Sequence, residues 1–138
     1  MTNRLLLDTC AMIWMAQEER MEPAALAAID RAFAEERSVG VSAISAWELG
    51  LLGRWKKLPA AVSPYSLFDR FADSDGIEVE SLTPSILIDS SFLPGDFHND
   101  PADRIIVATA RARELTIITR DRAILEYAKR GYVLALAC

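Results

Sequence analysis

Cysteine is scarce in this sequence, and long apolar runs are missing. The two cysteines, Cys10 and Cys138, lie at opposite ends of the chain and form no metal-type spacing, so we predict reduced thiols in a cytoplasmic protein. No apolar run is long enough to cross a bilayer, so no membrane span is expected. Met1-Thr2-Asn3-Arg4 leads directly into a strand-like run, and no signal peptide is expected.

A net positive charge is also missing. The chain has 20 acidic and 15 basic residues and a net charge of −5. This balance argues against a protein that holds nucleic acid through a broad positive field, but it permits an enzyme whose acids are concentrated at one metal site. With 138 residues, 51% of them hydrophobic, we predict one globular domain over residues 1–138 with a substantial core.

Short apolar runs alternate with segments of helical periodicity. Strands are predicted at 4–7, 39–42, 77–80, 116–119 and 132–134, with 77–80 at an edge. Helices are predicted at 10–16, 22–36, 46–52, 63–71, 83–92, 101–113 and 122–129. This alternation predicts an α/β fold with a mostly parallel sheet of four to five short strands and helices on both faces. In such sheets, ligands bind beyond the carboxyl ends of the strands.

Local details of these elements are also predicted. Ser42 or Ser45 is expected to cap the third helix, and Gly53 is expected to end it. In the first two helices, the residues expected to face the core are Ile13, Trp14, Leu26, Ile29 and Phe33.

The most informative stretch is His98-Asn99-Asp100-Pro101-Ala102-Asp103-Arg104. Pro101 predicts the start of a helix, because a proline lacks the N–H that this position leaves unpaired. Asp100 is then the N-cap, since its carboxylate accepts from the free N–H groups of the first turn. Asp103 is not needed as a cap, so this second carboxylate indicates a site for a cation.

Three other acids are predicted to reach the same edge of the sheet. Asp8 ends the first strand, Glu48 lies early in the helix after the second strand, and Asp121 follows the fourth strand within two residues. Four carboxylates crowded in a dry pocket cannot all stay ionised without a cation. Ligands that are all oxygen favour Mg²⁺ or Mn²⁺, and such a metal activates water and stabilises displacement at phosphorus.

Each acid also has an ordinary structural alternative. Asp8 and Asp121 can cap the helices that follow them, and Asp103 can interact with a helix dipole. Ser45 and Glu48 match a capping box, in which the glutamate reaches back to the serine N–H. These alternatives stay open for each acid taken singly. Four independent caps need not share one edge of a sheet, whereas a metal site requires it.

These blocks resemble the PIN-domain ribonucleases and, more narrowly, the bacterial VapC toxins of toxin–antitoxin pairs. The resemblance runs from Leu5 to about Val133, and the blocks that carry it are Leu7-Asp8-Thr9, Ser42 to Leu49, His98 to Arg104 and Thr119-Arg120-Asp121. It implies a PIN-like three-layer sandwich. The catalytic acids that it implies, as ligands of Mg²⁺ or Mn²⁺, are Asp8, Glu48, Asp103 and Asp121. The supporting residues that it implies are Thr9, Thr119 and, as a cap or outer acid, Asp100.

The same resemblance implies an activity and partners. The expected reaction is the hydrolysis of RNA phosphodiesters by a metal-activated water, so the chain is expected to be an endoribonuclease. A homodimer is expected, inhibited by a cognate VapB-type antitoxin. The RNA target stays open among transfer, ribosomal and messenger RNA, because specificity lies in shape and loop contacts.

Other residues carry two interpretations each. His98 can contact a phosphate, orient a ligand or act as an acid, or it can make a structural hydrogen bond in its loop. Arg104 can pair with a phosphate or balance the acids, or it can form a salt bridge with a neighbouring acid. The segment Arg54-Trp55-Lys56-Lys57 combines charge and an aromatic ring as single-strand binders do, unless Trp55 packs against the core. Cys10 is expected to be a small buried apolar residue.

Three other functions compete with the nuclease. A non-catalytic PIN-like module that binds protein or RNA would leave the four acids without a purpose. A phosphoacceptor receiver domain requires two adjacent acids after its first strand, but Asp8 stands alone there. A phosphatase of the haloacid dehalogenase type requires a second aspartate at position 10, which is Cys10.

Overall fold

The computed structural model describes residues 3–138. Met1 and Thr2, which belong to the segment where no signal peptide was expected, lie outside the described residues. In chain order the elements are β1 (Leu5–Leu7), α1 (Thr9–Ala16), α2 (Pro23–Ala34), β2 (Val39–Ser42), α3 (Ile44–Arg54), α4 (Pro64–Ala72), β3 (Ile77–Glu80), α5 (Pro84–Asp89), α6 (Pro101–Arg113), β4 (Thr116–Thr119), α7 (Arg122–Lys129) and β5 (Leu134–Ala137). Within residues 3–138, none of these helices has both the length and the apolar character that crossing a membrane requires.

The five strands form one parallel sheet in the order β3-β2-β1-β4-β5. Leu6 on the central strand β1 is paired with Gly40 of β2 on one side and Ile117 of β4 on the other. The chain fills one half of the sheet from β1 to β3 and then returns to the other half. The strand order therefore switches between β1 and β4, and this is where parallel sheets leave a crevice for ligands.

Helices cover both faces of the sheet. Leu5 and Leu7 enter one apolar cluster, while Leu6 between them enters the other, because successive strand side chains point to opposite faces. The first cluster contains residues of α1, α2, α3 and α4, and the second contains residues of α6 and α7. The predicted α/β fold with a parallel sheet of short strands is confirmed.

The buried faces of the first two helices differ in part from the predicted ones. Ile29 is buried, and Ile13, Trp14 and Phe33 are partly buried and pack against the first apolar cluster as predicted, but Leu26 is exposed. The buried residues of these helices are Thr9, Ala11, Met12, Ala25, Ile29 and Ala32. Alanine is apolar but small, so a helix rich in alanine can place its alanine face against the sheet and leave its larger side chains at the periphery.

Several predicted boundaries are also wrong. The last strand is Leu134–Ala137 rather than 132–134, because its pairing with β4 begins at Thr116 and Leu134. Helix α3 continues through Gly53 to Arg54, although glycine is a poor helix former. A Cβ at position 53 would lie 2.7 Å from Pro64, so only glycine allows α4 to start this close. Helix α5 ends at Asp89, three residues before the predicted end.

Candidate active site

Asp8 lies at the carboxyl end of the central strand and is only 6% exposed. One carboxylate oxygen accepts from the Ala11 N–H at 2.8 Å and caps α1, and the other accepts from the Thr119 hydroxyl. Burial raises the pKa of Asp8 above its usual range, and the charge of Asp121 raises it further, against the opposing effect of these two hydrogen bonds. Asp8 therefore caps α1, as its structural alternative predicted, and its carboxyl group also lies near another acid, Asp121.

Asp121 caps α7 in the same way, since its carboxylate accepts from the Ile124 N–H at 3.0 Å. Thr119, which is fully buried, accepts from the Asp121 N–H at 2.9 Å and donates its hydroxyl proton to Asp8. A single threonine hydroxyl therefore joins the ends of β1 and β4 at the switch point. It also fixes the separation between two of the predicted ligands.

Glu48 is oriented by a chain of hydroxyl groups. Its carboxylate accepts from the Thr9 hydroxyl, and the Thr9 oxygen lies 2.8 Å from the Ser45 oxygen. Because the one Thr9 proton is directed at Glu48, Ser45 is the donor to Thr9. The predicted capping box between Ser45 and Glu48 is therefore wrong, as is a cap at Ser45, which lies inside α3. Burial raises the pKa of Glu48, with smaller contributions from Asp100 and Asp8.

Asp103 has the most perturbed carboxyl of the group. It lies in the first turn of α6, behind Asp100, which accepts from the Ala102 N–H at 3.0 Å and caps the helix as predicted. Partial burial and then the negative charges of Asp100, Asp121, Glu48 and Asp8 raise the pKa of Asp103 to about 8. A carboxyl with this pKa is held among charges that the chain does not neutralise.

His98 faces this carboxyl, with Nε2 3.3 Å from an Asp103 oxygen. Atoms of His98, Asp103 and Asp121 that can act as ligands all lie within 4.8 Å of one another. However, Nδ1 of His98 accepts from the Asp100 N–H at 3.2 Å, so the proton of the neutral ring is on Nε2. In this tautomer Nε2 of His98 faces Asp103 with an N–H group and not with a lone pair that a metal could accept, which favours the structural alternative for His98.

Arg104 forms no salt bridge with an acid of the described residues, and its phosphate contact stays a prediction. Its guanidinium donates to three backbone carbonyls: Ser90 at 2.8 Å, Phe97 at 2.9 Å and His98 at 3.0 Å. The guanidinium therefore holds the segment before α6. Only the three-dimensional path of that segment reveals this role, because carbonyl groups leave no trace in the sequence.

Cys10 is exposed, so its predicted burial is wrong. Its thiol nevertheless reports on the arrangement of the acids. Desolvation raises the pKa of Cys10 to about 11, and the charges of Asp8, Glu48, Asp103 and Asp121 each contribute to the shift. The electrostatic influence of all four predicted acids therefore reaches this one sulfur atom, at the carboxyl edge of the sheet.

The chain supplies no counter-charge to these acids. Within residues 3–138, no lysine or arginine nitrogen lies within 4.0 Å of the carboxylates of Asp8, Glu48, Asp103 or Asp121. A donor set made of carboxylate oxygens fits a hard divalent cation, since burial raises the pKa of Asp8, Glu48 and Asp103 and no lysine or arginine of the described residues pairs with the four acids.

Known proteins resemble this chain over most of its length. The sequence model of the PIN domain family matches residues 5–130. Ribonuclease VapC22 of Mycobacterium tuberculosis is 34% identical over 122 residues, which are 88% of this chain and 89% of that protein.

Solved structures share the fold. A chain in the VapBC2 structure from Rickettsia felis, bound to a DNA fragment from the promoter, has a TM-score of 0.67 at 15% identity and covers 96% of this chain and 97% of that one. A chain of FitAcB from Neisseria gonorrhoeae has a TM-score of 0.58 at 24% identity and covers 96% of each chain. At these identities the similarity shows the architecture.

Proposed function

The chain belongs to the PIN domain family, and on that premise we propose that it is a metal-dependent endoribonuclease that acts as the toxin of a VapBC-type toxin–antitoxin pair. The observation that carries the proposal is the group of four acids without a cationic partner at the switch point of the sheet. A relative that is 34% identical and named a ribonuclease supports it. The non-catalytic module predicts no such uncompensated charge.

The acids that would hold Mg²⁺ or Mn²⁺ are Asp8, Glu48, Asp103 and Asp121. When bound there, a divalent cation supplies Lewis-acid chemistry that activates water and stabilises charge at phosphorus. In the proposed hydrolysis, a water oxygen forms a bond to the phosphorus of an RNA phosphodiester, and the bond to the leaving ribose oxygen breaks.

The residues around the acids prepare them for this task. Thr119 holds one oxygen of Asp8, and Thr9 holds one oxygen of Glu48, so neither carboxylate has to be ordered when a ligand arrives. Asp103, with a pKa of about 8, retains its proton near neutral pH until a cation displaces it. The affinity of the site for a divalent cation is therefore expected to rise with pH.

The proposed protein partner is a cognate antitoxin of the VapB type, and the proposed assembly is a homodimer in the cytoplasm. Chains with this fold occur in structures described as VapBC2 and as FitAB bound to a DNA fragment, the second with a TM-score of 0.61 at 22% identity. Co-expression of this chain with a candidate VapB-type antitoxin, followed by size-exclusion chromatography with light scattering, tests both the complex and the dimer.

The first test is growth after induction of the wild-type chain, Asp8→Asn and Asp103→Asn, with total RNA examined from the same cultures. Wild type is expected to arrest growth and leave a discrete RNA cut, and both variants are expected to do neither. Asp69→Asn is the matched control, because Asp69 is an exposed acid in α4. A fully active Asp8→Asn protein would refute the proposal.

Purified protein provides a second test that does not depend on turnover. Calorimetric titration of the wild type with Mn²⁺ is expected to show saturable binding. In Asp103→Asn the affinity is expected to fall by at least about 100-fold, because loss of an outer partner alone costs roughly 10- to 100-fold. Unchanged Mn²⁺ affinity in a folded Asp103→Asn protein would remove this carboxylate from the metal site.

A further inference from the structure

One segment of this acidic chain contains no acid. Between Glu48 and Asp69, residues 49–68 include no aspartate or glutamate, and they contain three cations, Arg54, Lys56 and Lys57. All three cations are exposed. The chain as a whole has a net charge of −5, so this segment is a local positive region that the overall composition conceals.

Exposed aromatic rings lie among these cations. Trp55, which the sequence suggested would pack against the core, is 57% exposed, and the Lys57 ammonium lies 5.8 Å from its ring centre. Tyr65 is 84% exposed and follows Pro64, the residue that lies against Gly53 at the end of α3. The basic aromatic surface is defined here as the exposed side chains of Arg54, Trp55, Lys56, Lys57 and Tyr65.

This surface is a short distance from the four acids. Glu48 and Trp55 are seven residues apart along α3 and its C-cap, which corresponds to a rise of about 10 Å. Trp47, next to Glu48 on the same helix, is itself 50% exposed. An exposed tryptophan therefore lies beside Glu48, and a second one lies at the other end of α3, in the basic aromatic surface.

A simpler explanation accounts for only part of the surface. Cations near the carboxyl end of a helix interact favourably with its dipole, which explains Arg54 and the two lysines that follow it. The dipole gives no reason for a tryptophan and a tyrosine to remain in water, where their rings contribute nothing to the core. The combination of cations with exposed rings is typical of surfaces that bind single-stranded nucleic acid.

We propose that the basic aromatic surface binds a single-stranded segment of the RNA whose phosphodiester lies at the four acids. Bases stack on Trp55 and Tyr65, while Arg54, Lys56 and Lys57 contact phosphates. This assignment rests on the proposed nuclease function, and it explains how a chain with net negative charge holds an anionic substrate.

The test is the affinity for a fluorescein-labelled 12-nucleotide oligoadenylate, measured by anisotropy in EDTA so that no cleavage occurs. Trp55→Ala and Tyr65→Ala are each expected to weaken binding about tenfold, because each removes one stacking platform. Phe92→Ala is the matched control, since Phe92 is an exposed ring outside this surface. Equal loss in Phe92→Ala, or no loss in Trp55→Ala, overturns the proposal.

The charge contribution is tested separately with the double variant Lys56→Gly/Lys57→Gln. Lys56 has a φ of +56°, a conformation that glycine adopts readily, so this change removes a charge without straining the helix end. A plot of log affinity against log salt concentration has a negative slope, and its magnitude is expected to decrease by about 1.4, because two phosphate contacts are lost on a single strand. The control Lys129→Gln, at an exposed lysine on α7, is expected to leave the slope unchanged.

Turnover separates this proposal from the nuclease itself. With a cleavable RNA, Trp55→Ala is expected to raise KM about tenfold with kcat nearly unchanged. A wild type that cleaves while Trp55→Ala retains the same KM overturns the surface alone, whereas a wild type that never cleaves overturns the nuclease. Unchanged RNA binding combined with lost neutralisation by the antitoxin would assign the surface to a protein partner and also overturn the proposal.

Discussion

Two groups of buried charge in this molecule are built in opposite ways. Glu80, at the end of the edge strand β3, is 5% exposed and lies between two guanidinium groups. Arg113 donates a hydrogen bond to it at 3.0 Å, and Arg4 forms an ion pair at 2.9 Å without hydrogen-bond geometry. Asp8 is equally buried, but it faces Asp121 and has hydroxyl and amide donors in place of cations.

The difference separates an acid that is paired with cationic side chains from the acids that are proposed to hold a metal ion. Around Glu80 the chain supplies the positive charge, so the charge of this carboxylate is compensated as soon as the protein folds. Around Asp8 the chain supplies hydroxyl and amide donors, and around Asp103 it supplies further acids and the His98 ring, so in the proposed function the positive charge comes from a bound cation. A buried acid therefore indicates a site when its partners order it without neutralising it.

The largest expected effect comes from breaking the compensated group. Glu80→Ala removes the buried carboxylate that Arg113 and Arg4 share and leaves Arg4 with the exposed Glu78, and we expect the free energy of unfolding to fall by about 3 kcal/mol. Urea denaturation measures this. Glu78→Ala is the control, because Glu78 also contacts Arg4 at 3.4 Å but is mostly exposed, and a loss of about 0.5 kcal/mol is expected. Equal losses would show that burial does not set the value of these pairs.

Removing a charge from the uncompensated group should have the opposite sign. The pKa of Asp103 is about 8 in the folded protein and 3.8 ordinarily, so the folded state binds more protons between these values. The stability of the metal-free protein should therefore fall as pH rises from about 4 to about 8. Asp103→Asn should reduce this slope, to which Asp8 and Glu48 still contribute, and stabilise the metal-free protein at pH 8 by about 2 kcal/mol, after allowance for solvent screening.

Denaturation of the metal-free proteins at pH 5 and pH 8 checks this sign. Asp69→Asn, which removes an exposed charge, should retain the wild-type dependence on pH. An Asp103→Asn protein that is less stable than the wild type at pH 8 would show that the carboxylate is compensated after all.

A divalent cation should compensate the charge of the acids at the switch point, as Arg4 and Arg113 compensate the charge of Glu80. At a free Mn²⁺ concentration ten times the dissociation constant, the wild type should gain about 1.4 kcal/mol of stability by mass action. Glu80→Ala should gain the same amount from its lower baseline, and Asp103→Asn should gain almost none. Thermal melts with and without Mn²⁺ measure the gains, and an equal gain in all three proteins would place the cation elsewhere.

The smallest expected effect concerns orientation. Thr9→Val keeps the shape of the side chain but removes the hydroxyl between Ser45 and Glu48, and we expect a loss of about 1 kcal/mol. Thr9→Ser, which retains the hydroxyl, should stay near the wild type in a denaturant titration. A valine variant as stable as the serine variant would show that this chain of hydroxyl groups contributes nothing to folding.

Sequence patterns predicted the elements best where the signal is local. Pro101 and Asp100 mark the start of α6 correctly, because a cap and a missing N–H act within one turn. The buried sides of α1 and α2 were assigned less well, since alanine leaves two apolar faces to choose from. The assignment of the four acids as metal ligands stays a prediction, although the electrostatic influence of all four reaches Cys10.

Contacts between distant residues were beyond the reach of any pattern. The Thr119–Asp8 bond joins residues 111 apart, and the Thr9–Ser45 contact joins residues 36 apart. Arg104 holds carbonyl groups, which every residue has, so no residue type could indicate them. The exposure of Trp55 was also left open, because a tryptophan at the end of a helix can either pack against the core or face the solvent.

By itself, the sequence determined the alternation of strands and helices, the parallel sheet and the placing of four acids near strand ends, because these follow from local periodicity and the right-handed crossover of parallel strands. Only the tertiary structure decided which acids are paired with a cationic side chain and which are not. Neutralisation depends on which side chains meet across the sheet, and Arg4 and Arg113 meet at Glu80, whereas no lysine or arginine within residues 3–138 forms an ion pair with the acids at the switch point.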